Sequence, residues 1–215
     1  HKGFIPWDDD IDIAMPREDY EVFAKTFKSD RCAFINHENF SSHYLPWGKI
    51  ADLNTLKIEP VSVKKEKYGV DIDIYPCDYI ETVEQGHYLK NKIGKIDKKR
   101  GHSVRLYNKN IIKNFFTLFY RGKHIKYCEK ETKLSVKYND GPKNFIFRNC
   151  PFSSAEDIYP IDMFDNTTLM NFENKQYFVP NKYDEILTKR YGDYMTPPNK
   201  ADQSPHHLYE AYFLK

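Results

Sequence analysis

Four aspartates stand within the five residues Asp8–Asp12, in the run Trp7-Asp-Asp-Asp-Ile-Asp-Ile13. From Asp10 onward acid and isoleucine alternate with the period of two that marks a strand. On a strand, Asp8, Asp10 and Asp12 share one face, while Asp9, Ile11 and Ile13 share the other, where the isoleucines are expected to anchor in a core. Carboxylates crowded on one face repel and raise one another's pKa. A divalent ion relieves this, and Mg2+ or Mn2+ favours such oxygen donors. The pattern returns at Asp71-Ile-Asp-Ile74. If the two strands are neighbours, Asp71 or Asp73 adds a carboxylate to the first cluster. Two acids from one strand and a third from the next suit in-line phosphoryl chemistry on metal ions ~3.5–4 Å apart. An EF-hand is excluded, because Ile13 falls where that loop requires Gly and Asp19 where it requires Glu.

Around this acidic core the charge is segregated. The chain of 215 residues has a formal charge of +2, yet Lys90–Lys133 holds 14 Lys/Arg against 3 Asp/Glu. The total is therefore a cancellation between an acidic body and one basic segment. With no nucleic-acid module in that segment, nucleic-acid binding is not expected. A solvated helical face or contact with anionic lipid head groups fits it better, the second because Ile111–Tyr120 is apolar and flanked by lysines. The four cysteines form no C-x-x-C pair. They read as buried, reduced thiols, which places the chain in the cytoplasm, with membrane association at the inner face as the expectation from the basic segment.

Punctuation and periodicity divide the chain. Pro16 is expected to end the first strand, and Tyr20, Phe23, Ala24 and Phe27 predict a helix over Glu18–Phe27. Phe34–Asn36 and Pro46–Leu53 predict strands, and Val70–Tyr75 another, closed by Pro76. Gln85–Asn139 reads as helical, Phe145–Pro180 as strand-prone, and Tyr183–Tyr191 as a helix ended by Gly192. The fold class is α+β: a small mixed sheet carrying the acids (residues 1–84), a basic helical insertion (85–140) and a C-terminal part of the same domain (141–215).

Taken by themselves, the residues leave three functions open. They are a metal-dependent phosphotransferase, a D-x-D glycosyltransferase using a nucleotide sugar, and a non-catalytic glycan- or metal-binding module. His1–Phe23, with its I-P-W-D-D-D-I-D-I centre, resembles the signature of the LicD family. Blocks at Trp47–Thr55, Val70–Asp78 and Tyr183–Pro198 resemble that family in the same order.

The resemblance implies a nucleotidyltransferase-like fold. It also implies transfer of phosphocholine or another alcohol phosphate from a CDP-linked donor (CDP-choline, CDP-ribitol or CDP-glycerol) to a glycan or lipid-linked glycan acceptor. By motif position it makes Asp10 and Asp12 the paired metal acids and Asp73 the third. Asp8, Arg17, Lys49 and Asp71 are assigned to substrate, with Lys49 and Arg17 offering cations to donor phosphates. His206 and His207 are candidate general bases, and Trp7 is either a core residue or a stacking platform. Family members carry an upstream strand and glycine-serine turn, so this stretch is expected to be a fragment, inactive or poorly folded by itself.

Overall fold

β5 (Asp71–Ile80) is the axis of the fold, and its sequence shows why. Ile72 and Ile74 point to one side, where they pack with Tyr20, Phe23 and Phe34 in a core cluster. Asp71, Asp73 and Tyr75 alternate to the other side and line a cavity. Beyond Tyr75 the strand is buried on both faces, with Ile80 completely enclosed.

A computed structural model describes residues 1–58, 68–104, 119–148, 150, 157–205 and 209–214. Among them, β1 (Asp12–Pro16), β2 (Cys32–Ile35), β3 (Gly48–Asp52), β5, β6 (Phe145–Arg148) and β7 (Ile158–Pro160) form one six-stranded sheet. β1 runs parallel to β5, and the other pairings in that sheet are antiparallel. β4 (Thr55–Ile58) pairs with β10 (Glu210–Phe213), and β8 (Thr167–Phe172) with β9 (Lys175–Pro180), as separate antiparallel ribbons. Among the described residues four α-helices accompany them: α1 (Arg17–Thr26), α2 (Val83–Val104), α3 (His124–Ser135) and α4 (Tyr183–Tyr191). Strands and helices are thus mixed as the α+β expectation requires.

The local signals explain most elements. α1 buries Tyr20 and packs Phe23, Ala24 and Phe27 on the sheet, the face that the helical spacing marked. α4 ends where Gly192 takes φ +69°, a conformation that costs glycine least. α2 and α3 lie against each other, and Leu89 and Ile93 of α2 join Ile80, Phe147 and Ile158 in a second core cluster. Gly86 permits that approach, since a Cβ there would stand 2.6 Å from Ile158 Cδ1 and 2.7 Å from Ile80 Cδ1.

Three expectations need correction. β1 begins at Asp12, two residues after the alternation starts at Asp10, while Pro16 does end it and leads straight into α1. Pro76 does not close its strand. It falls between the stretch paired with β3 (Asp71–Ile74) and the stretch paired with β6 (Cys77–Ile80), where no antiparallel partner needs its missing N–H. Ile11 and Ile13 do not reach a core, being 44% and 39% exposed, and Met15 packs against the first cluster instead.

The cysteines at positions 32, 77, 128 and 150 are free thiols, and the last three are buried. Among the described residues no helix is long and apolar enough to cross a membrane. The stretch Ile111–Leu118 and the pair His206-His207 lie outside the described residues.

Candidate active site

Register brings the charged residues together. Asp12 of β1 is the Cα partner of Asp73 of β5, and Asp73 is in turn the partner of Lys49 of β3. A row of side chains, Lys49–Asp73–Asp12, therefore crosses three neighbouring strands on one face of the sheet. Residues 12 and 73, far apart in sequence, meet because β1 and β5 pair in parallel with their alternations in phase.

The row opens into a cavity of ≈ 580 Å³. Asp9, Asp10, Asp12, Asp71 and Asp73 supply its acidic wall. Cations from several separate elements face them: Lys49, Lys57 of β4, Arg100 of α2, Arg148 of β6 and Arg190 of α4. The base is aromatic, with the rings of Trp47 and Tyr75 4.8 Å apart and both residues buried.

Each acid has a distinct environment. Burial, then Asp10 and Asp73, push the Asp12 carboxyl up to about 6, against the pull of Arg148 and Lys49. It therefore resists losing its proton unless more positive charge arrives. Asp73 Oδ1 lies 2.8 Å from Lys49 Nζ, and the Tyr75 hydroxyl approaches Asp73 Oδ2 at 3.4 Å. Asp71 is enclosed and paired with both Lys49 and, at 2.7 Å, Lys57. Burial opposes its charge, but the two ammonium groups hold the Asp71 carboxyl below its ordinary value. The reciprocal effect is large on Lys49: burial works to neutralise it, and Asp73 and Asp71 keep its pKa well above that of a free lysine. Asp71 is thus better placed to hold the two lysines than to meet a substrate.

Of the residues singled out in the sequence, the cavity collects Asp10, Asp12, Asp71, Asp73 and Lys49. Asp8 stands beside it: among the described residues, Asp8, Asp9 and Asp10 are the acids whose oxygens all lie within 4.8 Å of one another. Arg17 is not brought to the site. Its guanidinium is buried and grips Asp78 through both oxygens, at 2.8 and 2.7 Å. β1 sets Asp12 beside Asp73 and Pro16 beside Cys77, so Arg17, the next residue, falls next to Asp78 at the far end of the pairing and not at the acids. Trp7 is half-buried rather than a core residue, and Trp47 takes the core position.

The cavity cations missed in the sequence are Lys57, Arg100, Arg148 and Arg190. Arg148 Nη1 is 3.7 Å from Asp12 Oδ2, and its guanidinium lies 4.8 Å from the centre of the Tyr75 ring. No motif marks it in Phe-Ile-Phe-Arg; only the pairing of Arg148 with Cys77 of β5 reveals its place. Arg100 is buried, bonded to Glu131 Oε1 at 3.0 Å and to the Tyr44 carbonyl at 2.8 Å. The basic helix is therefore partly structural, with Arg100 tying α2 to α3 at the cavity wall.

A family model described as "LicD/FKTN/FKRP, nucleotidyltransferase domain" matches residues 1–101, the stretch that holds the acids, Lys49, Lys57 and Arg100. That stretch is similar to the LicD family. Similarity to one curated relative runs further: lipopolysaccharide cholinephosphotransferase LicD of Haemophilus influenzae is 28% identical over 222 aligned residues, covering 100% of this chain and 84% of that protein. The LicD likeness thus extends across β6 and α4, the elements that carry Arg148 and Arg190. No solved structure matches the chain.

Proposed function

We propose that the chain transfers a phospho-substituent, phosphocholine or another alcohol phosphate, from a CDP-linked donor to a hydroxyl of a cell-surface glycan. The relative named as a lipopolysaccharide cholinephosphotransferase supports phosphocholine and lipopolysaccharide as the first donor group and acceptor to test. The observation that carries the reading is the meeting of Asp12 with Asp73 across β1 and β5, beside Asp10, in a cavity whose other wall is cationic. Acids to hold a metal and cations to hold a polyphosphate are the two halves of a phosphoryl-transfer site.

Mg2+ or Mn2+ fits this donor set. The ligand atoms are hard carboxylate oxygens, and Asp12, pushed up to about 6 by burial and its acidic neighbours, is short of positive charge. Asp10, Asp12 and Asp73 would hold the ion. Bound there, it would neutralise the acids and polarise the phosphate that moves. The chain's own side chains account for the rest of this reading. Lys49, fixed between Asp71 and Asp73, offers a permanently charged ammonium to the donor phosphates. The acceptor hydroxyl gives its proton to a carboxylate of the cluster as its oxygen bonds to phosphorus. The opposite P–O bond breaks and CMP leaves. The Trp47–Tyr75 layer keeps the base of the site apolar and strengthens these charge interactions.

A thermal-shift panel tests the reading: CDP-choline, CDP-ribitol, CDP-glycerol and a UDP-sugar, each with Mg2+. Stabilisation by CDP-linked alcohols above the UDP-sugar is expected. Metal binding with no response to any nucleotide contradicts it.

A further inference from the structure

We infer that Arg148, set in place by Asp157 and Arg190, is the guanidinium fork that binds a donor phosphate beside Asp12, a proposal that rests on the phosphotransfer reading of the cavity. β6 delivers Arg148 across the Tyr75 ring, so its position is fixed by an aromatic surface as well as by charge. One side of the guanidinium meets Asp12 at 3.7 Å, and the other meets Asp157 Oδ2 at 3.4 Å. Asp157 is itself buried, bonded through its second oxygen to Arg190 of α4. Two arginines from elements remote in sequence thus converge on one enclosed carboxylate at the cavity wall, and both line the cavity.

A purely structural arginine looks different in this same molecule. Arg17 is enclosed and meets Asp78 with two bonds of 2.8 and 2.7 Å, the distances of a closed charge-assisted pair. Arg148 faces the cavity next to the acid that would carry the ion. Its planar array of donors matches two oxygens of a phosphate, as an ammonium does not. Asp157 and Arg190 are positioning residues in this arrangement, and the ligand class is a phosphate ester or diphosphate.

The test uses inorganic pyrophosphate with Mg2+, so that its outcome does not depend on which alcohol the natural donor carries. Calorimetric titration of the wild-type chain is compared with Arg148→Lys, which keeps the charge and loses the fork. We expect pyrophosphate affinity to fall by about tenfold or more, with the melting temperature of the variant little changed. In parallel, phenylglyoxal modification of the wild-type protein is mapped by mass spectrometry, and pyrophosphate is expected to slow labelling at Arg148. This second reading needs no variant. Equal affinity in Arg148→Lys, absence of binding in the wild type, or labelling of Arg148 unaffected by pyrophosphate overturns the proposal. Pyrophosphate binding that requires Arg148, with no response to any CDP-linked alcohol, leaves the fork standing and removes the proposed donor class.

Discussion

Arg17→Met separates a structural arginine from a ligand-binding one. Arg17 and Asp78 have side-chain exposures of 7% and 0%, and the pair is bidentate. Methionine fills similar space but leaves the Asp78 carboxylate inside the protein, with the Asn139 amide at 2.9 Å as its remaining side-chain hydrogen bond. Breaking a buried pair from one side costs about 3–5 kcal/mol, because the remaining charge stays desolvated. At about 2–4 °C per kcal/mol for a chain of this size, the melting temperature should fall by about 6–20 °C. Adding Asp78→Leu to Arg17→Met should recover much of that loss, since two apolar side chains leave no buried charge. Differential scanning fluorimetry reads the stability, and calorimetry at a temperature where both proteins are folded reads donor affinity, which should be unchanged. A melting temperature within about 2 °C of wild type, or weakened donor binding at unchanged stability, would refute the reasoning.

Further expectations rest on neighbouring features. Lys49→Met should reduce donor affinity at least about tenfold and also destabilise by about 3–5 kcal/mol, because it strips the shared cation from Asp71 and Asp73; calorimetry and denaturant unfolding measure the two effects. Glu131 is fully enclosed, and burial raises its carboxyl to about 7 despite Arg100. A raised carboxyl means that the folded state binds more protons than the unfolded one between about 4.5 and 7. Stability should therefore decline as pH rises through that window, and Glu131→Gln should flatten the decline in a pH series of melting curves. Gly48→Ala should destabilise by about 1–3 kcal/mol in urea unfolding, because its Cβ would stand 2.3 Å from Phe34 Cζ.

Legibility followed periodicity. The acid–isoleucine alternation identifies β5 and places its acids on one face, and the same alternation in phase on β1 sets Asp12 opposite Asp73. α1 and α4 were readable from apolar spacing and a terminal glycine. What a local pattern does not carry is the long-range pairing that decides which cation meets which acid. Arg17 stands five positions from Asp12 yet closes on Asp78, because the β1–β5 register sets Pro16 beside Cys77. A signal for that pair was present: an aspartate in the otherwise uncharged strand run Tyr-Pro-Cys-Asp-Tyr-Ile must be buried and so requires a cation. Arg148 had no such mark, because its role arises from the β5–β6 register and from Asp157. Total charge does not separate the members of the basic segment: Arg100 is enclosed, and the described lysines of α2 include the exposed Lys92, Lys95 and Lys99.

The central claim is that the acids of β1 and β5 bind a divalent ion and, through it, a CDP-linked donor. Calorimetric titration of CDP-choline into the wild-type chain and Asp12→Asn, each with Mg2+ and with EDTA, tests it most directly. The account predicts saturable binding for the wild type with Mg2+, and a loss of about a hundredfold or more in affinity both in EDTA and in the folded Asp12→Asn protein. Equal affinity with and without the metal, or in Asp12→Asn, would contradict it.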